Sequence, residues 1–458
     1  MKKSLVALAV LAATGAYAQS SVTLNGIVEA TTDIGYNRNT DTRTTTNNFN
    51  ALNVLTSSVF NPATVRQRNS FRIQDGSDQG TGTSRVGFRG TEDLGGGLKA
   101  NFVLEMGLRI DDGCTTLTAT GGCDNGGNSA NSGGSTFGRN AWGGLSGSFG
   151  EVRLGRQVLG SFGVQANSAA AGSSLGLYES SAAGYLPMGG VRFSNAVRYM
   201  SPNLGGFRGS LMFAAPETPG ATSTIGFPGA TPTPLTASET SRRVGVDLAL
   251  EYANGPAYIG FGYNRRDTGN VTSSIAGVST VIASPGVANG YTLGGAYDFG
   301  VAKPFVNYTR IRTDITGSTT APVGFVSGAN ASNANARALS IGLRAPVGAF
   351  TVIAGIGRVV TDTNGSSVAT TATNVSTATA TSIAERRDSA QLGAQYALSK
   401  RTLVEANLGY TRLRSNSQAV VLTNGLPSLP GGIGGRQERF IDSNDRSSAL
   451  NVGLKHSF

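Results

Sequence analysis

Along much of the chain, apolar and polar residues alternate one for one. From Lys99 to Ile110, one face carries Ala100, Phe102, Leu104, Met106, Leu108 and Ile110, and the other Lys99, Asn101, Glu105, Gly107 and Arg109. This is the period of two that marks a β-strand. Val244, Val246, Leu248, Leu250 and Tyr252 oppose Gly245, Asp247, Ala249 and Glu251 in the same way. After the Asn254-Gly255 turn, Ala257, Ile259, Phe261 and Tyr263 oppose Gly260, Gly262 and Asn264. Near the start, Val22, Leu24, Val28, Ala30, Ile34 and Tyr36 oppose Thr23, Asn25, Glu29, Thr31 and Asp33. Two segments depart from the rule. Arg310 and Arg312 share parity with Val306 and Tyr308, and Phe350 to Val360 is apolar on both faces. Either such ends lie beyond the hydrocarbon or these strands pack against a neighbouring subunit.

A soluble sandwich also alternates, with its apolar faces turned toward each other. Strand length and the content of the polar face separate the two cases. The strands run about nine to fourteen residues, longer than the roughly five or six usual in globular proteins and close to the roughly 9–11 that cross a bilayer tilted. Their polar faces carry glycine and charge, as in a wet interior, and Tyr36, Tyr252, Tyr263 and Tyr410 sit at strand ends, where a headgroup girdle places them.

Short turns alternate with long polar connections. The turns are Glu92 to Gly97, Ser148-Phe149-Gly150, Asn203 to Gly206, Asn254-Gly255, Phe299-Gly300, Pro346 to Gly348 and Ser399-Lys400. The connections are Asn37 to Gly82, Asp111 to Ser135, Gln157 to Gly190, Pro216 to Ser241, Asp267 to Gly290, Thr316 to Ala336, Thr361 to Glu385 and Ser415 to Asn444. Seven turns join seven strand pairs, and one strand at each terminus makes sixteen. The predicted fold is all-β: a closed sixteen-stranded antiparallel transmembrane β-barrel with short periplasmic turns and long external loops.

Composition agrees and narrows the function. Charged residues are only 14% and glycine numbers 65 of 458 residues, against roughly 25% and 7% in soluble proteins. No apolar stretch after Gln19 is long enough for a spanning helix. The first residues place Lys2 and Lys3 before an apolar run from Leu5 to Ala13 and then Ala16-Tyr17-Ala18, which reads as a signal peptide over residues 1–18 and a barrel domain over 19–458. The net charge of +10 is spread singly and in pairs, not in runs, so nucleic acid is no expected partner. The single histidine, His456, shares parity with Leu450, Val452 and Leu454 and faces outward. A His or Cys metal site and a Ser-His-Asp hydrolase are therefore not expected, and neither is an enzyme. Gly95-Gly96-Gly97 lacks the Lys-Ser/Thr of a phosphate loop and reads as a turn. Cys114 and Cys123 lie in one external loop of an exported chain, where a disulfide would persist and stiffen the loop tip; two free thiols are the other reading.

Several segments resemble the general porins of Gram-negative outer membranes, above all the sixteen-stranded porins of β-proteobacteria. They are SVTLNGIVEA, SRVGFRGTEDLGGGLKANFVLEMG from Ser84, GRNAWGGLSGSFGEVRLGRQ from Gly138, SNAVRYMSPNLGGF from Ser194, and the terminal ALNVGLKHSF. The resemblance implies an outer-membrane homotrimer that passively conducts ions and small hydrophilic solutes without a cofactor. It sits among outer-membrane lipid and lipopolysaccharide and is inserted by the barrel-assembly machinery, with Phe458 as the assembly signal. It further implies that the third external loop, Gln157 to Gly190, folds into the barrel, facing a basic wall of Arg85, Arg139 and Arg192. In the alternation itself Arg85 opposes Val86 and Phe88, and Arg139 opposes Trp142, which turns both arginines inward; Arg192 lies where the loop re-enters its strand. Arg89, Glu105 and Arg109 are further lumen candidates. The facing loop departs from the family in having no Asp and only Glu179, so the balance tips toward anion preference. The bland alternative is that the arginines pair with lumen carboxylates such as Glu105 and Glu29. A channel selective for small organic anions and a structural or adhesive barrel are the rival functions.

Overall fold

The computed structural model describes residues 21–50, 54–74, 84–108, 110, 136–170, 191–215, 222–225, 235–240, 244–268, 270–275, 278–283, 286–320, 327–370, 376–424 and 435–458. The predicted signal peptide, Arg109, Cys114, Cys123 and Glu179 lie outside them.

Among the described residues, sixteen strands pair antiparallel around a closed ring. The first half holds β1 (Ser21–Phe49), β2 (Arg85–Gly95), β3 (Leu98–Gly107), β4 (Asn140–Gly147), β5 (Gly150–Val158), β6 (Arg192–Met200), β7 (Phe207–Ala214) and β8 (Gly245–Asn254). The second half holds β9 (Ala257–Thr268), β10 (Gly286–Tyr297), β11 (Lys303–Thr320), β12 (Ser327–Val347), β13 (Phe350–Thr370), β14 (Ser376–Ala397), β15 (Thr402–Asn424) and β16 (Gly435–Ser457). Each pairs with the next, and β16 returns to β1 from Ile27↔Ser457 to Phe49↔Arg436, so no edge of the ring is open. All seven predicted short turns are present. Gly96 and Gly255, at φ 61° and 54°, supply the left-handed backbone that their tight hairpins require.

The burial pattern is inside out for a soluble protein. Leu24, Phe102, Leu154, Phe261, Leu293, Ile341, Leu392 and Leu408 are exposed on the outer face, while Asp247, Asn264, Thr292, Asn307, Thr309 and Asn407 are buried on the inner one. That arrangement fits lipid outside and a polar lumen within. Aromatic pairs Phe207–Tyr252, Tyr297–Phe299 and Phe350–Tyr396 stack at the short-turn ends, with centroids 4.5, 4.7 and 5.1 Å apart.

Both departures from alternation acquire a cause. Ile353 is the inward member of the doubly apolar segment and packs with Ala170 and Phe305 inside the barrel, whereas Ile356 faces out. Arg310 and Arg312 do face outward. With Arg312–Asp314 at 3.0 Å, Arg337–Asp362 at 3.3 Å and Arg358–Asp388 at 2.6 Å they form an ion-paired belt on the loop side of Tyr308, Leu339 and Ile356. Charge on a lipid-facing wall is costly at the midplane and cheap at the interface, so the belt marks where the hydrocarbon ends.

Six predicted loops hold strand that the sequence reading left out, those from Pro216 to Ser241 and from Asp267 to Gly290 as short paired segments. The ladders run on through β1 to Phe49, β11 to Thr320, β13 to Thr370 and β15 to Asn424, and a further strand, Leu55–Gln74, pairs with Thr31 to Phe49 of β1. Above the membrane both strand faces are wet, so hydrophobic alternation stops while the backbone ladder, rich in Thr, Ser and Val, continues.

The ring closes at Gly26 and Phe458, which exchange backbone bonds of 3.0 and 3.1 Å. A Cβ on Gly26 would lie 2.4 Å from the Phe458 ring and 2.6 Å from the Arg85 carbonyl oxygen. Gly26→Val is therefore expected to destabilise the closed barrel by about 1–3 kcal/mol through overpacking. The check is the temperature at which the refolded protein loses its folded gel mobility; no change from the parent would mean that the seam can yield.

Candidate pore constriction

After Val158 the chain leaves the wall and turns inward as helix α1 (Gly160–Asn167). The helix lies along the inner faces of β8, β9 and β10. Its N-terminus has no cap of its own; the carboxylate of Asp247, from β8, takes that place. The Gly160 N–H donates to Asp247 Oδ2 at 2.7 Å and the Ser161 N–H to Oδ1 at 3.3 Å, and the Ser161 hydroxyl also bonds this carboxylate. Asn264 donates to Ser161 Oγ at 3.2 Å, Gln165 to Thr309 Oγ1 at 3.1 Å, and Asn307 to Ser168 Oγ at 2.7 Å. Alternating glycines on the wall make room for the helix. A Cβ at Gly262 would stand 2.7 Å from Ser161 Cα, and one at Gly294 2.0 Å from Ser168 Oγ. Leu159 anchors the entry among Phe193, Ala196, Met212 and Ala214, and Ala170 seats the exit against Phe305 and Ile353. The described part of the third loop thus lies inside the barrel.

Arg85 opens β2 opposite Ile27 and Gly107. Arg139 sits one residue before β4 and donates its backbone N–H to the Glu105 carbonyl at 3.2 Å. Both guanidinium groups converge on one carboxylate: Arg139 Nε is 2.7 Å and Arg85 Nε 3.5 Å from Glu105, and Asn140 adds a bond of 3.3 Å. Glu29 is engaged elsewhere, with Lys455 at 3.5 Å. Arg89 faces the lumen from β2 and donates to Asn25 at 3.3 Å.

The parity argument for Arg139 needs correction. Asn140, Trp142 and Gly144 pair with Glu105, Val103 and Asn101, so Trp142 itself points into the lumen. Arg139 reaches the same side because it precedes the strand and escapes its alternation. Arg192 opens β6 opposite Val158 and alternates with Phe193, which fills the cluster under Leu159. Arg153 and Arg198, directly paired across β5 and β6, also stand on the inner wall with Arg85 and Arg139. Arg153 bonds Glu151 at 2.7 Å and stacks on Trp142 with its guanidinium 4.1 Å from the ring centroid. Arg198 donates to the Val158 carbonyl and to Ser210 Oγ, each at 3.1 Å. Both were legible, since Arg153 opposes Val152 and Leu154, and Arg198 opposes Val197 and Tyr199. Asp247 as a latch was not, because its partner lies 87 residues away.

Sequence comparison supplies the context for this geometry. The profile of the Gram-negative porin family matches residues 4–416. Outer membrane porin protein 32 of Delftia acidovorans is 30% identical over 467 residues, spanning 100% of both chains. An outer membrane porin of Bordetella pertussis is 31% identical over 375 residues, covering 76% of this chain and 82% of its own. Among solved structures, an anion-selective porin from Comamonas acidovorans superposes with a TM-score of 0.49 at 24% identity, covering 96% of this chain and all of its own.

Proposed function

Because the chain belongs to the Gram-negative porin family, we propose that this outer-membrane porin is a general diffusion channel that prefers small anions. The carrying observation is the charge of the wall facing α1. Arg85, Arg89, Arg139, Arg153 and Arg198 stand there with Glu105 and Glu151, and the carboxylate of Asp247 is spent on the helix. One carboxylate shared by two guanidinium groups leaves the passage positive, and a positive ring favours anions in a wet pore. The preference rests on fixed charge and weakens as salt screens it.

The family context supports a homotrimer. In this reading the outward arginine belt meets the phosphates of outer-leaflet lipopolysaccharide, and Phe458, whose backbone closes the ring on Gly26, acts as the assembly signal. No part of this reading calls for catalysis or a cofactor. The test is planar-bilayer recording of the refolded mature protein under a potassium chloride gradient. The expected result is a chloride-selective reversal potential reached in three equal conductance steps. A cation-selective reversal would overturn the anion preference, and single-step insertion would overturn the trimer.

A further inference from the structure

The outer face of β12 and β13 changes character in register. From the loop side down, its outward pairs are Asn333↔Asn364, Asn335↔Asp362, Arg337↔Val360, Leu339↔Arg358 and Ile341↔Ile356. Over about 27 Å of strand the wall passes from amide through charge to hydrocarbon. Two grooves follow the same order. The lower one, of about 570 Å³, is lined by Tyr308, Leu339, Ile341 and Ile356 and rimmed by Arg337, Arg358 and Asp388. The upper one, of about 280 Å³, holds Arg310, Arg312, Asp314 and Asp362 with the three asparagines.

Two like charges stand at the junction. Arg310 and Arg337 are directly opposed across β11 and β12, an arrangement that costs stability unless an anion lies between them. Arg337 pairs with Asp362 at 3.3 Å, whereas Arg310 donates to the neutral amide of Asn335 at 3.2 Å. Arg358 and Arg386 share Asp388 at 2.6 and 3.1 Å, and Arg312 pairs with Asp314. The patch thus sets five arginines against three aspartates. The side chains of Arg312, Arg337 and Arg358 are 62%, 49% and 53% exposed, so an occupant reaches them. Opposed arginines recur farther round the belt as Arg386↔Arg414 and Arg412↔Arg446. The outward face of β2, β3 and β4 is different: Phe88, Phe102 and Leu145 are exposed there, and the alternation puts no arginine beside them.

A surplus of two positive charges, with hydrocarbon below and amides above, calls for an amphiphile with the same sequence of groups. Its chains meet the apolar groove, its phosphates the arginines, and its sugar hydroxyls the amides. A glycerophospholipid has chains and one phosphate but no sugar, and free phosphate has no chains.

We propose that the outer face of β11, β12 and β13 is a seat for one phosphorylated glycolipid of the outer leaflet. Its acyl chains lie against Tyr308, Leu339, Ile341 and Ile356, a phosphate bridges Arg310 and Arg337, and the sugar rests on Asn333, Asn335 and Asn364. The inference rests on the reading that the belt meets lipopolysaccharide, and goes beyond it in assigning one discrete site and the order of groups within it.

The test is native mass spectrometry of the refolded mature protein in detergent, titrated with diphosphoryl lipid A, phosphatidylglycerol or inorganic phosphate. The expected result is one saturable lipid A per chain, held about tenfold more tightly than phosphatidylglycerol, and no phosphate adduct at the same concentration. Removing both guanidinium groups, with Arg310→Gln and Arg337→Gln together, is expected to weaken lipid A about tenfold or more, the size of a lost charge-assisted hydrogen bond. Asp362→Asn, which takes a negative charge out of the seat, is expected to strengthen it several-fold, a direction that mere structural damage does not give. Arg446→Gln, on β16, is expected to leave it unchanged. Equal retention of lipid A and phosphatidylglycerol would overturn the glycolipid class. A loss in Arg446→Gln as large as in the double variant would overturn the discrete seat while leaving the general belt contact standing. No retention of lipid A by the parent would remove both. None of these outcomes bears on the reversal potential or the number of conductance steps, which test anion preference and the trimer separately.

Discussion

Arg139→Glu is expected to reverse the ion preference of the channel. The guanidinium of Arg139 lies 2.7 Å from Glu105, on the wall that faces α1. Its replacement changes the local charge by two and sets two carboxylates side by side. At roughly 6 Å in water, one unit charge alters the energy of a passing ion by about 0.7 kcal/mol, so two alter it by about 1.4 kcal/mol, close to tenfold in the permeability ratio. Arg139→Gln, which removes one charge, should give about half that free-energy change. Both shifts should be largest in dilute salt, because the screening length is about 10 Å at 0.1 M and only about 3 Å at 1 M. Reversal potentials measured across a series of salt gradients provide the check. Arg312→Gln is the control: its ion pair with Asp314 lies on the outer belt, and it should leave the reversal potential where it was. An Arg139→Glu channel with the parent's selectivity would remove this arginine from the constriction.

Asp247→Ala should free the inward-folded loop while sparing the barrel. Asp247 is buried and accepts from Gly160 N–H, Ser161 N–H and the Ser161 hydroxyl. Its loss leaves those donors unsatisfied at the positive end of the helix, at roughly 1–3 kcal/mol for each buried group. The ladder of β8 with β7 and β9 is unchanged by the substitution, so the thermal stability of the barrel should hardly move. What should move is the pore. Open-channel conductance should rise and its fluctuations grow as α1 leaves the wall, with Asp247→Asn in between because one amide oxygen can still accept. The measurement pairs single-channel recording with thermal denaturation of the same preparation. Parent-like conductance would mean that Asn264, Asn307 and Thr309 hold the loop without the carboxylate; a large fall in melting temperature would mean that the latch also supports the barrel.

Strand content, the seven turns and the count of sixteen could be read from the chain because they are set locally. A strand buried on one side by lipid and wetted on the other must alternate residue by residue, and the hairpins need glycine or short polar turns at their tips. Arg85 and Glu105 lie on regular strands, and simple parity places both in the lumen. Parity fails where the ladder does. Arg139 stands before its strand, Gly155 and Asn195 adopt positive φ values of 124° and 50° around the bulge between β5 and β6, and the phase of Gln157, Arg192 and Phe193 is reset there.

The sequence by itself determined a lipid-facing, closed, even-stranded barrel with arginines turned into its lumen. Tertiary structure alone decided how the lumen is divided. The latch on α1 joins residues 87 apart, and the inward turn of Ile353 matters only because Ala170 and Phe305 meet it there. Trp142 joins the basic wall because β4 and β5 bring it beneath Arg153. Period-two alternation records which solvent a side chain meets. It carries no record of which other side chain waits across a water-filled space, and that pairing sets where the inward helix lies.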